Sequence, residues 1–551
     1  MGLFILGSGC LGVLVLEPEP SQDTQVLIAG GGPVGLTLAL ELGWHNIRCV
    51  LVEQREEFDG NPKAKTVHQR TLELFRRWGR DIPKKLRAAA PLGADFPAHI
   101  LYITRLTGEL IAALRNALPA DSGNQFSPER TMRIPQCYLE PVLREEVRNL
   151  RTVEFRVGWR LDGFDQDEHG IRAEIVRLAD NRRRQVRAAY LAGCDGGRSL
   201  VRKQLGISMR GAAASAEALG GVFRARELWG KIAFERAFHY NVINDELPSL
   251  ATVGPLELPD LWFWDLMRVD PQALDPAAVI RKLIGQPIAF DLLHVGPWTV
   301  HNALAERYRH GRVFLLGDAA HLQPPTGGYG MNGGVGDAVN FGWKLAAVLK
   351  RWGGERLLES YEIERRQFHE KTYEESAKNF DANDLVTPGL EDPLLGGSRR
   401  EALAERIVRT KPVNFKSIGV TLGYRYETSP VIVPDGTPAT PYETSIYVPT
   451  ARPGHRAPHY WLHDGSALFD HFGKGFTLLA LKEMDTSAIE EAASNLAVPL
   501  TILRRPDPNL RDLYESNFVL IRPDHHVAWR ADAVPRSPNA ILEIVCGQSI
   551  G

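Results

Sequence analysis

Val26-Leu27-Ile28-Ala29 runs directly into Gly30-Gly31-Gly32-Pro33-Val34-Gly35, then Leu36-Thr37-Leu38-Ala39-Leu40, and a second apolar run, Cys49-Val50-Leu51-Val52, ends at Glu53. Strand, glycine turn, helix, strand and acid follow one another in the order a dinucleotide site needs. Glycines let the backbone turn tightly and approach a pyrophosphate, and the helix N-terminus offers it unpaired N–H groups and partial positive charge. Glu53 can accept hydrogen bonds from ribose hydroxyls. The spacing predicts a βαβ unit over residues 25–55 and an adenine dinucleotide as ligand.

An earlier copy of the pattern, Gly7-Ser8-Gly9-Cys10-Leu11-Gly12, follows Leu3-Phe4-Ile5-Leu6, but Glu17-Pro18-Glu19-Pro20 arrives before a crossover helix could form. Proline lacks the N–H and restrains the residue before it, so this copy is a decoy within an N-terminal extension, residues 1–24. The apolar stretch in it is too short to span a bilayer and has no basic flank, so neither stable membrane insertion nor a signal peptide is expected.

The 551-residue length calls for two or three domains, and 44% hydrophobic with 24% charged residues is the composition of a globular protein. A net charge of −2 gives no electrostatic reason to expect nucleic acid as partner. Five scattered cysteines with no CxxC pair point to a reducing, cytoplasmic setting and to no metal site.

Past the opening unit, periodicity predicts helices at Thr71–Trp78, Leu139–Leu150, Gly334–Leu349 and Arg356–Ala382, with strands through 153–192 and a strand-rich, tryptophan-rich stretch at 215–310. Proline and glycine near 388–397 mark a boundary. The resulting division is an N-terminal extension (1–24), interleaved cofactor and substrate domains (25–395, with the substrate sheet mainly at 95–130 and 208–305) and a C-terminal block (396–551).

Two further motifs narrow the cofactor. Gly193-Cys194-Asp195-Gly196-Gly197-Arg198-Ser199 closes a strand and starts a helix, where Asp195 can orient the turn, Gly196 admits a phosphate and Arg202 can clamp an anion. Val313-Phe314-Leu315-Leu316-Gly317-Asp318 is a buried strand ending in an aspartate placed for a ribityl or ribose hydroxyl. The run Pro324 to Gly334 after it, rich in glycine, offers backbone N–H groups at a helix start. A simple nicotinamide dehydrogenase has no use for a second, remote nucleotide half-site.

In this order the three motifs resemble the group A flavoprotein aromatic hydroxylases, the FAD monooxygenases related to p-hydroxybenzoate hydroxylase and phenol hydroxylase, over residues 25–380. The resemblance implies an α/β fold with a Rossmann-like FAD-binding domain interleaved with a sheet-based substrate domain. It implies that Gly30, Gly32, Pro33, Gly35, Glu53 and Gln54 hold the ADP half of FAD, and that Asp195, Gly196 and Arg202 serve FAD and NADPH or NADH. Gly317 and Asp318 would hold the ribityl chain, and Pro325, Gly328, Gly330, Met331 and Asn332 would lie along the isoalloxazine. Arg133-Ile134-Pro135-Gln136 is similar to the segment whose glutamine contacts the flavin side. Lys63 falls where relatives have an arginine near the pyrophosphate, keeping the charge and losing the bidentate fork. Tyr447 to Asp464 and Leu520 to Arg530 resemble the thioredoxin-like C-terminal domain of phenol hydroxylase relatives; without CxxC it should be redox-inert and serve packing or a homodimer contact.

The implied reaction is hydroxylation of a phenolic or polyketide-like aromatic substrate with NAD(P)H and O₂ through a flavin hydroperoxide. An epoxidase or decarboxylating hydroxylase of the same fold, or a non-catalytic FAD-binding protein, are the alternatives. The cofactor carries the chemistry, so no side chain is nominated as catalytic. His455, His459 and His463 have helical ligand spacing, but Pro453, Gly454 and Pro458 disfavour a helix, and no metal is expected there. His321 is read as a loop histidine bonded to backbone. Trp262 and Trp264 are faintly similar to the tryptophan motif of flavin halogenases but lack its flanking glycine and Ile-Pro. They read as packing, with Trp264 and Trp298 as candidate walls of the substrate site.

Overall fold

The computed structural model describes residues 23–56, 62–93, 95–117, 125–382, 398–412 and 417–548. The first glycine copy and the 388–397 boundary lie outside the described residues. The fold is built on three principal sheets. In the first, the parallel strands Val153–Val157, Cys49–Glu53, Asp23–Ala29, Arg182–Gly193 and Val313–Leu315 lie side by side in that order. Val26, Leu27, Ile28, Leu51, Leu191 and Leu315 are fully buried, as a sheet covered on both faces requires. The chain leaves Asp23–Ala29 first to one side and later to the other. The carboxyl end of that strand is therefore the switch point where open α/β sheets take ligands. Helices Pro33–Trp44 and Tyr329–Leu349 pack together over this sheet.

The second sheet, eight strands, is assembled from both sides of the first in sequence: His321–Leu322, Asp291–Ala305, Met209–Arg224, Leu261–Met267, Ala251–Glu257, His239–Val242, Ile100–Ile103 and Leu110–Leu114. Side chains alternate across it. Trp262 and Trp264 pack with Val279, Ile280 and Leu283 of the helix Pro276–Ile284, while Phe263 and Asp265 face the other way. Both tryptophans are packing residues, as expected, and Trp264 cannot also wall the substrate site, because it belongs to the face closed by that helix. A two-stranded ribbon, Thr66–Val67 with Met132–Arg133, touches both the second sheet, where Arg133 lies over Phe263, and the long helix, whose Asn332 donates to the Thr66 carbonyl.

The C-terminal sheet orders Leu500–Arg504, Phe476–Ala480, Phe518–Ile521 and Val527–Ala531, the first pair parallel and the rest antiparallel, with helices Ser487–Asn495 and Pro538–Val545 alongside, the thioredoxin-like arrangement. The helix Ser398–Thr410, assigned to this block from sequence, packs instead on the second sheet, its Leu403 and Ile407 joining Ile100, Tyr102 and Ile111.

A buried charge network ties the C-terminal block down. Arg522 donates to both oxygens of Glu364 (2.6 and 2.9 Å), which also takes Lys344 at 2.6 Å and the Ser429 hydroxyl at 2.6 Å. Arg522 pairs with Asp524 at 2.6 Å, and Arg70 donates to the Asp524 carbonyl at 2.6 Å. Arg70 and Arg456 share Glu73. Removing one partner from such a network strands a buried charge, at a cost of about 3–5 kcal/mol.

Candidate functional site

The turn after Asp23–Ala29 has the geometry its glycines were chosen for. Gly30 adopts φ +104°, and a Cβ there would strike the Cys194 carbonyl. At Gly35 a Cβ would run into the Gly30 carbonyl oxygen, so the helix can sit against the strand only with glycine. Gly32 differs: its backbone is extended (φ −76°, ψ −174°), and an added Cβ would meet no protein atom within 4 Å. The space before it is open, and Pro33, as the first helical residue, loses no hydrogen bond there.

Glu53, expected on ribose hydroxyls, accepts the Gly31 N–H at 2.6 Å through one oxygen and the Arg55 N–H at 2.8 Å through the other. It therefore holds the turn, with lone pairs left over for a ligand. The cleft beyond has room of about 470 Å³ and is lined by Gly30 to Gly32, Glu53, Gln54, Lys63, Gln136, Asp195 and Gly196. Glu140, Arg144, Trp159 and Arg198 also line it and were missed from sequence. Gln136, Glu140 and Arg144 recur every four residues on the helix Gln136–Arg148, a spacing that could have found them. Gln136 donates to Glu140 at 2.6 Å, and burial raises the Glu140 carboxyl's pKa.

At the second motif, Asp195 accepts the Val201 N–H at 3.1 Å through one oxygen, and its other oxygen is buried without a partner. Burial raises its pKa. Gly196, at φ +76°, has no protein atom within 4 Å of an added Cβ. Arg202 departs from the expected anion clamp: its guanidinium donates to the Gly197 carbonyl (2.9 Å) and the Ala319 carbonyl (3.0 Å), stitching the second motif to the third.

At the third motif, Gly317 takes φ +60° against Val34, and Asp318 is exposed. The protein around it nonetheless raises its pKa. The long helix begins at Tyr329, five residues before the sequence predicts. The glycines within it serve close packing: a Cβ on Gly334 would come within 2.6 Å of Val34, on Gly333 within 2.8 Å of His369 and on Gly336 within 2.8 Å of Arg365. Gly330 is again the exception, with nothing within 4 Å. Asn332 is spent within the protein. It accepts from the His68 N–H (2.8 Å) and the Thr71 hydroxyl (2.7 Å) and donates to the carbonyls of Thr66 (3.0 Å) and Gly328 (2.7 Å), latching the helix start to the ribbon. Pro325, Gly328 and Met331 flank this start, Pro325 exposed and the other two half-buried.

His321 is a correction. It is no backbone-bonded loop residue: fully buried, it meets Asp337 at 2.7 Å and stacks on His369 with ring centres 3.4 Å apart. Asp337 also takes His369 (2.8 Å), the Arg365 guanidinium (2.7 Å) and the Gly317 N–H (3.0 Å). Two imidazoles and a carboxylate at this spacing could hold a metal ion, but Arg365 already supplies the counter-cation of Asp337. The cluster fixes the Gly317 turn. His455 and His459 are buried outside any helix and His463 is exposed. Trp298 is half-buried on the strand Asp291–Ala305.

FAD fits this arrangement. Gly32 and Gly196 face open space where phosphates would lie, Asp195 keeps a buried oxygen without a partner, and Asp318 is accessible at the end of a buried strand. Among the described residues no helix is long and apolar enough to cross a membrane.

Comparison with known proteins agrees. Residues 23–376 match the FAD binding domain family and residues 450–549 the aromatic-ring hydroxylase C-terminal family. The FAD-dependent monooxygenase apdD of Emericella nidulans is 31% identical over 94% of this chain and 89% of its own. The tetracenomycin B2 monooxygenase-dioxygenase of Streptomyces olivaceus is 33% identical over 95% and 97%. Among solved structures, RebC with reduced flavin superimposes with a TM-score of 0.87 at 34% identity, covering 96% of this chain and 99% of RebC. The flavin-dependent monooxygenase PieE, in complex with FAD and substrate, gives 0.88 at 31% over 96% and 100%.

Proposed function

The chain belongs to the FAD-dependent aromatic-ring hydroxylases, and from that premise we propose that it inserts one oxygen atom of O₂ into a phenolic, polyketide-like aromatic ring at the expense of NADPH or NADH. The observation that carries the reading is one cleft lined by two backbone turns, Gly30–Gly32 and Asp195–Gly196, with the third turn, Gly317–Asp318, packed against Val34 of the first helix and stitched to the second motif by Arg202. The relatives' names, a tetracenomycin B2 monooxygenase-dioxygenase, an aklavinone 12-hydroxylase and a polyketide hydroxylase among them, support a polyketide-like substrate.

FAD, when bound, supplies hydride acceptance and oxygen activation. The chain's own residues do the rest. The N-terminus of the helix Pro33–Trp44 takes the pyrophosphate charge, aided by Lys63 and Arg144, and Asp318 accepts from the ribityl hydroxyls. The start of the helix Tyr329–Leu349, held rigid by Asn332, presents backbone N–H groups to the ring system, where they stabilise negative charge. The second sheet covers the reacting centre and excludes water, which keeps reducing equivalents from ending as peroxide. The C-terminal block serves packing or a homodimer contact, and scattered cysteines without a CxxC pair suit a reducing cytoplasm.

The test is a screen of phenols, naphthols and hydroxyanthraquinones for stimulated NAD(P)H oxidation by the yellow holoenzyme, with mass spectrometry of the product. A hydroxylated product supports the reading. Bound flavin that NAD(P)H cannot reduce would favour a non-catalytic FAD protein, and an epoxide or a decarboxylated product one of the other same-fold chemistries.

A further inference from the structure

The two-stranded ribbon carries a cationic cluster that the cofactor cleft does not use. Arg133 leaves the ribbon and lies over the rings of Phe238 (4.7 Å) and Phe263 (5.4 Å), on the face of the second sheet turned away from the Trp262 and Trp264 packing. Its Nε and Nη1 are buried and have no hydrogen-bond partner. Lys65, beside it on the neighbouring arm of the ribbon, covers the same Phe263 ring at 4.5 Å and pairs with Asp265 at 3.2 Å. His239 meets Phe263 edge-on at 5.6 Å, and burial, reinforced by Arg133 and Lys65, drives its pKa well below the usual range, so it is neutral. Two cations therefore face one carboxylate, and the surplus charge sits on the residue whose donors are unsatisfied. Burial pulls even the Arg133 guanidinium down to about 9, despite Asp265 nearby.

A buried guanidinium with idle donors is costly unless a ligand completes it. Gln136, three residues on, lines the dinucleotide cleft, and Val67 leads into His68, which bonds Asn332 at the long helix start. Arg133 thus stands on the ribbon, three residues from the cofactor cleft, with its guanidinium stacked on the Phe238 and Phe263 rings of the second sheet.

We propose that Arg133, with Lys65 behind it, binds an anionic oxygen of the aromatic substrate, a carboxylate or an acidic phenolate, and makes the enzyme select acidic aromatics over neutral isosteres. This rests on the hydroxylase reading for the presence of an aromatic substrate, but the test reads binding and needs no turnover. Paired ligands are titrated into oxidised holoenzyme and followed by flavin absorbance and melting temperature: 4-hydroxybenzoate, 1-hydroxy-2-naphthoate and indole-2-carboxylate, each against its methyl ester. In the wild type at least one acid binds ten times tighter than its ester or better. In R133M the ratio falls below about three with FAD retained, and R133K restores part of it. Acids no tighter than esters, or no acid bound at all, would overturn the proposal. So would an unchanged ratio in R133M, whether with a lowered melting temperature, which would make Arg133 structural, or with a shifted flavin potential in ligand-free enzyme, which would make it a partner of the reduced cofactor. Failure of the hydroxylase reading shows separately, as tight acid binding with no NAD(P)H oxidation.

Discussion

Gly32 and Gly35 stand three residues apart in one turn and should fail in opposite ways when given a methyl group. At Gly32 the backbone is extended and a Cβ meets nothing within 4 Å, so Gly32→Ala fits the ligand-free fold without strain. The methyl would occupy the space through which a pyrophosphate approaches the N-terminus of the helix Pro33–Trp44. A hydrogen bond to a charged group is worth about 1.5–3 kcal/mol, so forcing one phosphate contact to lengthen should weaken FAD binding roughly 10- to 150-fold. At Gly35 the methyl strikes the Gly30 carbonyl, a backbone atom that can yield only by parting strand from helix, and overpacking of this kind costs about 1–3 kcal/mol. Apo-protein melting by scanning fluorimetry and FAD affinity by flavin fluorescence quenching separate the two. G32A should melt like wild type and bind FAD weakly, and G35A should melt lower. A G32A protein with unchanged FAD affinity would refute the placement of the pyrophosphate on this helix.

Asp318→Ala removes an accessible carboxylate from the ribityl position, and FAD affinity should fall tenfold or more, about 1.5–3 kcal/mol; an unchanged value by the same titration would refute the assignment. Gly330→Val has room in the protein, so it should lower the ratio of product to NAD(P)H consumed more than it lowers the melting temperature, and a fully coupled variant would place this helix start away from the chemistry. Glu41 is buried, which alone would raise its pKa, but Arg77 at 2.6 Å, with His45, outweighs burial and holds it at about 2 against an ordinary 4.5. Its depressed pKa contributes about 3 kcal/mol that is present above about pH 4.5 and lost as pH falls toward 2. Glu41→Gln should therefore be clearly less stable in denaturant titrations at pH 7, with the gap to wild type closing below pH 4.5; a gap independent of pH would contradict this.

The parts of the fold legible in the sequence are those fixed by local chemistry. The turn at Gly30 to Gly35 and the strand ending at Asp318 are each written in fewer than a dozen neighbouring residues, and backbone sterics leave them few alternatives. The start of the long helix was misplaced because glycine ordinarily punctuates, whereas Gly333, Gly334 and Gly336 are there to let Val34, His369 and Arg365 approach. Pairings across the fold left no local trace: Lys65 with Asp265 joins positions 200 residues apart, and Arg522 meets Glu364 across 158. One signal was available. Asp337, Asn340 and Lys344 recur at helical spacing in an otherwise apolar segment, and polar groups on such a face are costly unless they meet partners. Those partners are the Asp337 cluster and the network that docks the C-terminal block. Arg202 misled for a related reason, since an arginine beside a phosphate turn can equally satisfy backbone carbonyls.

The central claim is that this cleft delivers oxygen from O₂ to an aromatic ring. Turnover of the best substrate from the phenol screen under ¹⁸O₂ in ordinary water, with product, peroxide and NAD(P)H measured together, tests it most directly. In coupled turnover the product should carry one labelled oxygen for each NAD(P)H consumed. A product whose new oxygen comes from water, or NAD(P)H consumption that yields only peroxide for every aromatic tried, would contradict it.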